Sequence, residues 1–225
     1  MFYGFQPYFN SRLTPFFENT PFLALSNSLN LAPNQWFGAL SPKFFRKAHS
    51  FQPIKAHELD NFLSNTNKDV VGFNSRSTQP NIIKQAENYH KDYVKAFRMI
   101  LELAELDFDI DRNSRKLFKR PSGHWCYANI FSNMVIAKWW VWKKFIKEVL
   151  EPCYWVMSNP NNTELMEIIW RDSGYNALNR IPYSPRFKKE IGVNYYPYHT
   201  FICERFWTMF MNNRPEISMT HYPFL

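Results

Sequence analysis

The run from Cys126 to Val156, CYANIFSNMVIAKWWVWKKFIKEVLEPCYWV, constrains the fold more than any other part of the chain. Its first half, Tyr127 to Ala137, is short, β-branched and aromatic, with Ser132 and Asn133 in its middle. That is how a buried strand reads when polar groups stand near its end. From Lys138 the period changes: Trp139, Trp142, Phe145, Ile146, Val149 and Leu150 recur at three- and four-residue steps, and Lys143, Lys144, Lys147 and Glu148 take the opposite face. This predicts an amphipathic helix stopped by Pro152. A strand that runs almost directly into a helix is the basic piece of an α/β layer fold, in which ligands sit where strands deliver their ends.

The 225 residues suffice for a full core, and no internal repeat or flexible linker divides them, so a single domain over residues 1–225 is expected. Lys and Arg outnumber Asp and Glu by 27 to 19, a net charge of +8, which favours anionic partners: phosphates, nucleotide diphosphates, nucleic acid or an acidic membrane face. The charge is spread along the chain without a basic block, so a nucleic-acid-binding tail is not indicated. Aromatic residues make up 19%, enough for a dense core and also suited to stacking sugar rings or bases. Cys126, Cys153 and Cys203 are far apart and form no CxxC spacing, which argues against a cysteine-built zinc site and fits reduced thiols in a cytoplasmic protein. The N-terminal MFYGFQPYFNSR does not read as a secretory signal. Charges interrupt the apolar run from Trp125 to Met157, so it does not read as a membrane span; peripheral association with the inner face of a membrane stays open.

The rest of the chain supplies further elements. FYGFQPYF reads as a weak first strand, and PFLAL as a short helix in a loop-rich segment. Gln35 to Leu40 reads as a strand ended at Ser41–Pro42, followed by the cations Lys43, Arg46 and Lys47, which suit either a solvated loop or a phosphate clamp. Ala56 to Asn65 reads as an amphipathic helix and Asp69 to Phe73 as a buried, parallel-type strand ending at Asn74. Ile82 to Leu106 carries the longest helical pattern, with His90 inside it. Thr163 reads as an N-cap before a helix at Glu164 to Trp170. Pro182 to Pro197 reads as a flap or binding loop, and Thr200 to Met211 as a last helix with Phe201, Phe206, Met209 and Phe210 inward.

No Gly-rich phosphate loop, G-x-S-x-G elbow or H-E-x-x-H motif is present. The alternating Asp107, Asp109 and Asp111 resemble a cation-holding D-x-D, but they follow a long helix and precede RNSRKLFKR, so a solvated connection is the stronger reading. Among the scattered histidines, His199 lies nearest in sequence to Glu204 and Arg205. A carboxylate beside an arginine is most often a structural ion pair, and it can also hold a ligand-binding or catalytic carboxylate in place.

Several segments, in order, resemble a bacterial glycosyltransferase-like family of polysaccharide loci. They are WFGALSPKFFRKA, DVVGFNS, AENYHKDY, LDFDID followed by CYANIFSNMVIAKWWVWKKFI, and YPYHTFICERFWTMFM. Departures stand at Lys47–Ala48, where the family has Lys-Thr, and at His90–Lys91–Asp92, where it has His-Pro-Gly. The resemblance implies a GT-A, nucleotide-diphospho-sugar-transferase-like α/β fold with a mostly parallel central sheet flanked by helices. It implies sugar transfer from a nucleotide sugar to a surface-glycan or lipid-linked acceptor, with Mn²⁺ or Mg²⁺ as the possible cofactor. By position it implies a site drawing on Ser41, Lys43, Asn74, His90, Asn129, Asn133 and Arg205 for substrate, with Glu204 and His199 as catalytic candidates. Two other readings stay open: a non-catalytic glycan- or nucleotide-binding module, and a nucleic-acid binder, the latter disfavoured because the aromatic–cation interleaving at Trp139 to Lys147 has helical spacing.

Overall fold

The computed structural model describes residues 14–16, 19–39, 55–73, 79–119, 122–130, 133–178, 180 and 182–222. In chain order these form α1 (Asn19–Ser28), β1 (Trp36–Ala39), α2 (Ala56–Asn65), β2 (Val70–Gly72), α3 (Ile82–Ala86), α4 (Tyr93–Leu103), β3 (Lys116–Lys119), β4 (Trp125–Tyr127) and β5 (Val135–Lys138). Then follow α5 (Trp139–Phe145), a π-helical turn (Ile146–Leu150), α6 (Glu151–Ser158), α7 (Thr163–Ile169), α8 (Tyr175–Leu178), α9 (Pro185–Ile191), α10 (Tyr198–Asn212) and β6 (Met219–His221). The expected first strand, FYGFQPYF, lies outside the described residues.

The main sheet has the order β1-β5-β2-β6, and it corrects the expected GT-A architecture. Strand β5 runs antiparallel to both β1 and β2, and among the described residues only β2 and β6 pair in parallel. The sequence order strand–helix–strand from β1 through α2 to β2 is that of a parallel crossover unit. The two strands do point the same way, yet β5 is inserted between them. Hydrophobic periodicity identifies strands and their buried faces but carries no information about which strand becomes a neighbour. Alternation along the pleat sends Val70, Val135 and Ala137 to the large core and Val71 and Ile136 to a smaller one, shared with Leu59 of α2 and with Tyr222.

The junction at Lys138 is as tight as its sequence suggests, since α5 begins at the residue after β5 ends. The strand before it is shorter than expected. Tyr127 to Ala137 is divided between β4 and β5, and Asn133 turns the chain in the left-handed region at φ 52°. Strand β4 pairs instead with β3 in a separate two-stranded hairpin. Pro152 does not stop the helix. The chain passes through the π turn, where the Glu151 N–H reaches back five residues to the Ile146 carbonyl, and continues as α6 to Ser158. Proline lacks an N–H and its ring crowds the carbonyl four residues back, and a locally widened turn eases that crowding without ending the helix.

The long helical pattern from Ile82 to Leu106 is broken in two. Asp92 adopts φ 61°, and the Glu87 carboxylate accepts the Asp92 and Val94 N–H groups at 2.9 and 2.6 Å, capping α4. The segment expected as a flap contains α9, capped by the Ser184 hydroxyl at the Phe187 N–H and closed by Gly192 at φ 84°. Helix α7 begins at Thr163 with Asn162 in the capping position, one residue earlier than expected.

Helix α10 is the axis of the fold. The sequence suggests one inward face, but thirteen of its fifteen residues are buried, so its neighbours cover it on nearly every side. Trp207 stacks on Phe145 at 4.0 Å and meets Trp142 edge-on at 4.7 Å, which fixes α10 against α5. Glu204 and Arg205 are the two residues of this helix that are only partly buried. Among the described residues no helix is long and apolar enough to cross a membrane.

Candidate functional site

Three segments meet at the Glu204–Arg205 turn of α10: the break between α3 and α4, the connection after α7, and the first turns of α10 itself. His90 comes from the break. Its ring lies against Phe201 at 4.9 Å, Tyr198 at 5.1 Å and Tyr93 at 5.8 Å. Burial, helped by the nearby Arg205 charge, lowers its pKa from 6.5 to about 4, while a hydrogen bond with the Ser173 backbone acts in the other direction. The ring is therefore neutral near pH 7, and its Nδ1 is buried without a hydrogen-bond partner. A neutral imidazole of such low basicity suits donating or accepting a hydrogen bond better than abstracting a proton.

Tyr93 joins α4 to α10. Its hydroxyl donates to the Phe201 carbonyl at 2.7 Å, and burial pushes its pKa upward. Arg205 Nη1 donates to the same carbonyl at 2.9 Å, its guanidinium carbon sits 5.6 Å from the Tyr93 ring centre, and Glu204 lies 3.6 Å away. The side chains of Arg205 and Glu204 are 13% and 17% exposed, so the pair stands at the surface with most of its shell supplied by protein. Arg205 Nε is buried without a hydrogen-bond partner. At the rim, Arg171 and Asp92 pair at 2.5 Å, and the hydrogen bond from Arg171 holds the Asp92 carboxyl below its ordinary range. Tyr183 adds a longer contact to Asp172 at 3.4 Å. A guanidinium, a carboxylate and a neutral imidazole among tyrosine and phenylalanine rings can bind a phosphate or the hydroxyls of a sugar.

The other residues suggested by the sequence fall elsewhere. His199 is fully buried between Phe16 at 5.1 Å and Trp170 at 4.7 Å, and burial lowers its pKa to about 3. Five helical residues separate it from Glu204, about 140° around the axis, so the two face different ways. Asn129 belongs to a network near the far end of α10. It accepts from Ser114 Oγ at 2.5 Å and donates to the Gln79 carbonyl at 2.6 Å, while Asn212 donates to Ser114 Oγ at 3.1 Å. Asn133 donates to Asn19 Oδ1 at 3.2 Å, tying the turn before β5 to α1. Ser41, Lys43 and Asn74, together with Arg46 and Lys47, lie outside the described residues.

Asp107, Asp109 and Asp111 occupy the exposed connection after α4, as the solvated reading expects. Asp111 is held by Lys84 and Arg98, both at 3.1 Å, and Asp109 accepts the Asp111 N–H at 2.8 Å. Among the described residues no three His, Cys, Asp or Glu side chains gather as metal ligands. Sequence reasoning missed Tyr93, Arg171, Ser173 and Tyr198. Tyr93 had a signal: tyrosine rather than phenylalanine on an apolar helical face implies a buried acceptor for the hydroxyl. No family model, curated protein or solved structure matches the chain.

Proposed function

We propose that the chain transfers a sugar from a nucleotide sugar to a hydroxyl of a surface glycan or lipid-linked acceptor, with Glu204 and Arg205 at the reacting centre. The observation that supports this reading is a convergence. His90, Glu204 and Arg205, suggested from two distant segments of the resemblance, come together around Tyr93 and Phe201. The reading does not depend on a GT-A sheet, because the group is carried by helix termini and the centre of α10 rather than by strand ends.

In this mechanism the acceptor hydroxyl attacks the anomeric carbon and forms the new glycosidic C–O bond. The bond from that carbon to the diphosphate oxygen breaks, and the nucleotide diphosphate leaves with the electron pair. The hydroxyl proton passes to the Glu204 carboxylate. The charge on the leaving diphosphate is offset by Arg205, with Arg171 at the rim. His90, neutral, donates or accepts a hydrogen bond at the sugar.

The test is thermal stabilisation of the full chain against nucleotide diphosphates and nucleotide sugars, each with and without Mn²⁺, since a ligand that binds only the folded state raises its apparent stability. One base-selective hit that Arg205→Met abolishes is the expected result. A flat panel for the native chain contradicts the proposal. The alternative, a non-catalytic glycan- or nucleotide-binding module, is favoured by one feature: Arg205 is already engaged by the Phe201 carbonyl and by Glu204. Selective binding without turnover identifies that case.

A further inference from the structure

The β3–β4 hairpin is set apart from the main sheet, and a bulge decides what its two sides carry. Lys116 pairs with Tyr127, Phe118 with Cys126 and Lys119 with Trp125, which leaves Leu117 as an extra residue on β3. Residues three apart on a regular strand point to opposite sides, and the extra residue returns Lys116 to the side of Lys119. One side of the hairpin holds the buried Cys126, with Leu117 packed against the core and Phe118 at the margin. The other side holds Trp125 and Tyr127 in a row on β4, with Lys119 and Lys116 opposite them on β3. Lys116 Nζ stands 5.2 Å from the Trp125 ring centre, as residues on one side must. Trp125 and both lysines are exposed, and Tyr127 is half-buried. The base of the hairpin is anchored: Arg115 donates to the Pro215 and Ile217 carbonyls at 3.2 and 3.0 Å, and His221 Nε2 lies 3.1 Å from the Tyr127 carbonyl. Neither Lys116 nor Lys119 has an acidic partner among the described residues, and no Asp or Glu stands between Arg112 and Trp125.

We propose that the face formed by Trp125, Tyr127, Lys116 and Lys119 binds an acidic glycan, with sugar rings lying on the aromatic row and their carboxylates meeting the two ammonium groups. The face repeats one unit twice, an aromatic ring with an ammonium across the strand from it, at a step of roughly 7 Å along β4. A polymer that presents apolar ring faces and carboxylates in alternation is the complement of such a row. The positive local sequence supplies the charge complementarity. A glycan as the ligand rests on the sugar-transfer reading, of which this is the acceptor class, but the face itself shares no residue with the Glu204–Arg205 group. Single-stranded nucleic acid fits less well. It is held by a cationic groove that tracks its backbone, and among the described residues this face offers two ammonium groups.

The test is direct binding of the full chain to polygalacturonate, a uronate polymer, in ~0.15 M salt. Dextran serves as the uncharged sugar chain, and oligodeoxythymidylate as the nucleic acid. The native chain is expected to bind polygalacturonate roughly fivefold or more tightly than dextran, the effect of two exposed ion pairs. Lys116→Ala with Lys119→Ala should remove that preference. Trp125→Ser should weaken binding to both glycans about tenfold, through loss of the stacking surface. Phe118→Ser, on the opposite side of the hairpin, should change neither. Thermal unfolding midpoints close to that of the native chain establish that these variants fold. Equal binding to polygalacturonate and dextran, native binding by the lysine variant or by Trp125→Ser, or an equal loss in Phe118→Ser overturns the proposal. So does tighter binding of oligodeoxythymidylate than of polygalacturonate. No nucleotide sugar takes part, so the outcome is independent of whether the chain transfers sugar.

Discussion

Tyr93 and Arg205 share one acceptor: the phenol of α4 and the guanidinium of α10 both donate to the Phe201 carbonyl, at 2.7 and 2.9 Å. The carbonyl sits in the first turn of α10, one turn before Arg205, so two helices are fixed where the Glu204–Arg205 pair reaches the surface. The tyrosine ring under the guanidinium, 5.6 Å from centre to carbon, restricts it further. A cation held in this way is oriented before any ligand arrives.

Tyr93→Phe removes one donor and keeps the ring. It should lower stability by about 1 kcal/mol, the usual net contribution of one buried hydrogen bond. Urea unfolding measures this directly, and an unchanged midpoint contradicts the shared-acceptor arrangement.

Acid should destabilise the protein earlier than carboxylate chemistry alone requires. His90 and His199 have folded pKa values of about 4 and about 3, below their ordinary 6.5. As pH falls through 6.5 the unfolded chain takes up protons that the native state refuses. Stability is then lost by about 1.4 kcal/mol per pH unit for each histidine until the folded values are reached. Asp69, whose carboxyl is kept below the ordinary range against the opposing effect of burial by Ser218 and Lys138, contributes only below about pH 4. Unfolding free energies between pH 6.5 and 4.5 should show the combined slope, and His199→Phe should remove about half of it. A flat profile across that window contradicts the burial of both rings.

Asn129 is a test of structural against substrate-binding roles. Asn129→Ala removes the acceptor for the buried Ser114 hydroxyl proton and the donor to the Gln79 carbonyl, and should cost about 1–3 kcal/mol. Nucleotide affinity, measured well below the lowered unfolding temperature, should not change. A selective loss of affinity with stability intact returns Asn129 to the ligand site.

Gly72 lies where β2 passes His221. A Cβ there would meet the His221 ring and the Met219 methyl at 2.9 Å. Gly72→Ala should therefore destabilise by roughly 1–3 kcal/mol through overpacking at the centre of the sheet. An alanine tolerated without loss contradicts the β2–β6 register.

The sequence made parts of this fold legible and hid others for identifiable reasons. Helix α2, strand β1 and the junction of β5 with α5 follow from period and end signals, because a single segment's burial dictates them. The insertion of β5 between β1 and β2 does not, because pairing is a property of two segments. The breaks at Glu87–Asp92 and Asn133 rest on left-handed residues and side-chain caps that an apolar pattern runs straight through. In the site, Glu204 and Arg205 were legible as the one charged pair within an apolar helix. His199 was misleading for the same reason, since nearness in sequence says nothing until the helical turn is counted. The candidate site differs in kind from the one the strand-into-helix pattern suggests: that pattern points to strand ends, and the residues that converge lie on helices and a helix break.

The central claim is tested most directly by sugar transfer itself. The native chain and Glu204→Gln should be compared in a turnover assay with the nucleotide sugar that stabilises the native protein. The substitution keeps the size of the side chain and removes the proton acceptor. The account predicts a kcat lower by about 10²–10⁴-fold with donor affinity nearly unchanged. Native turnover by Glu204→Gln would contradict it.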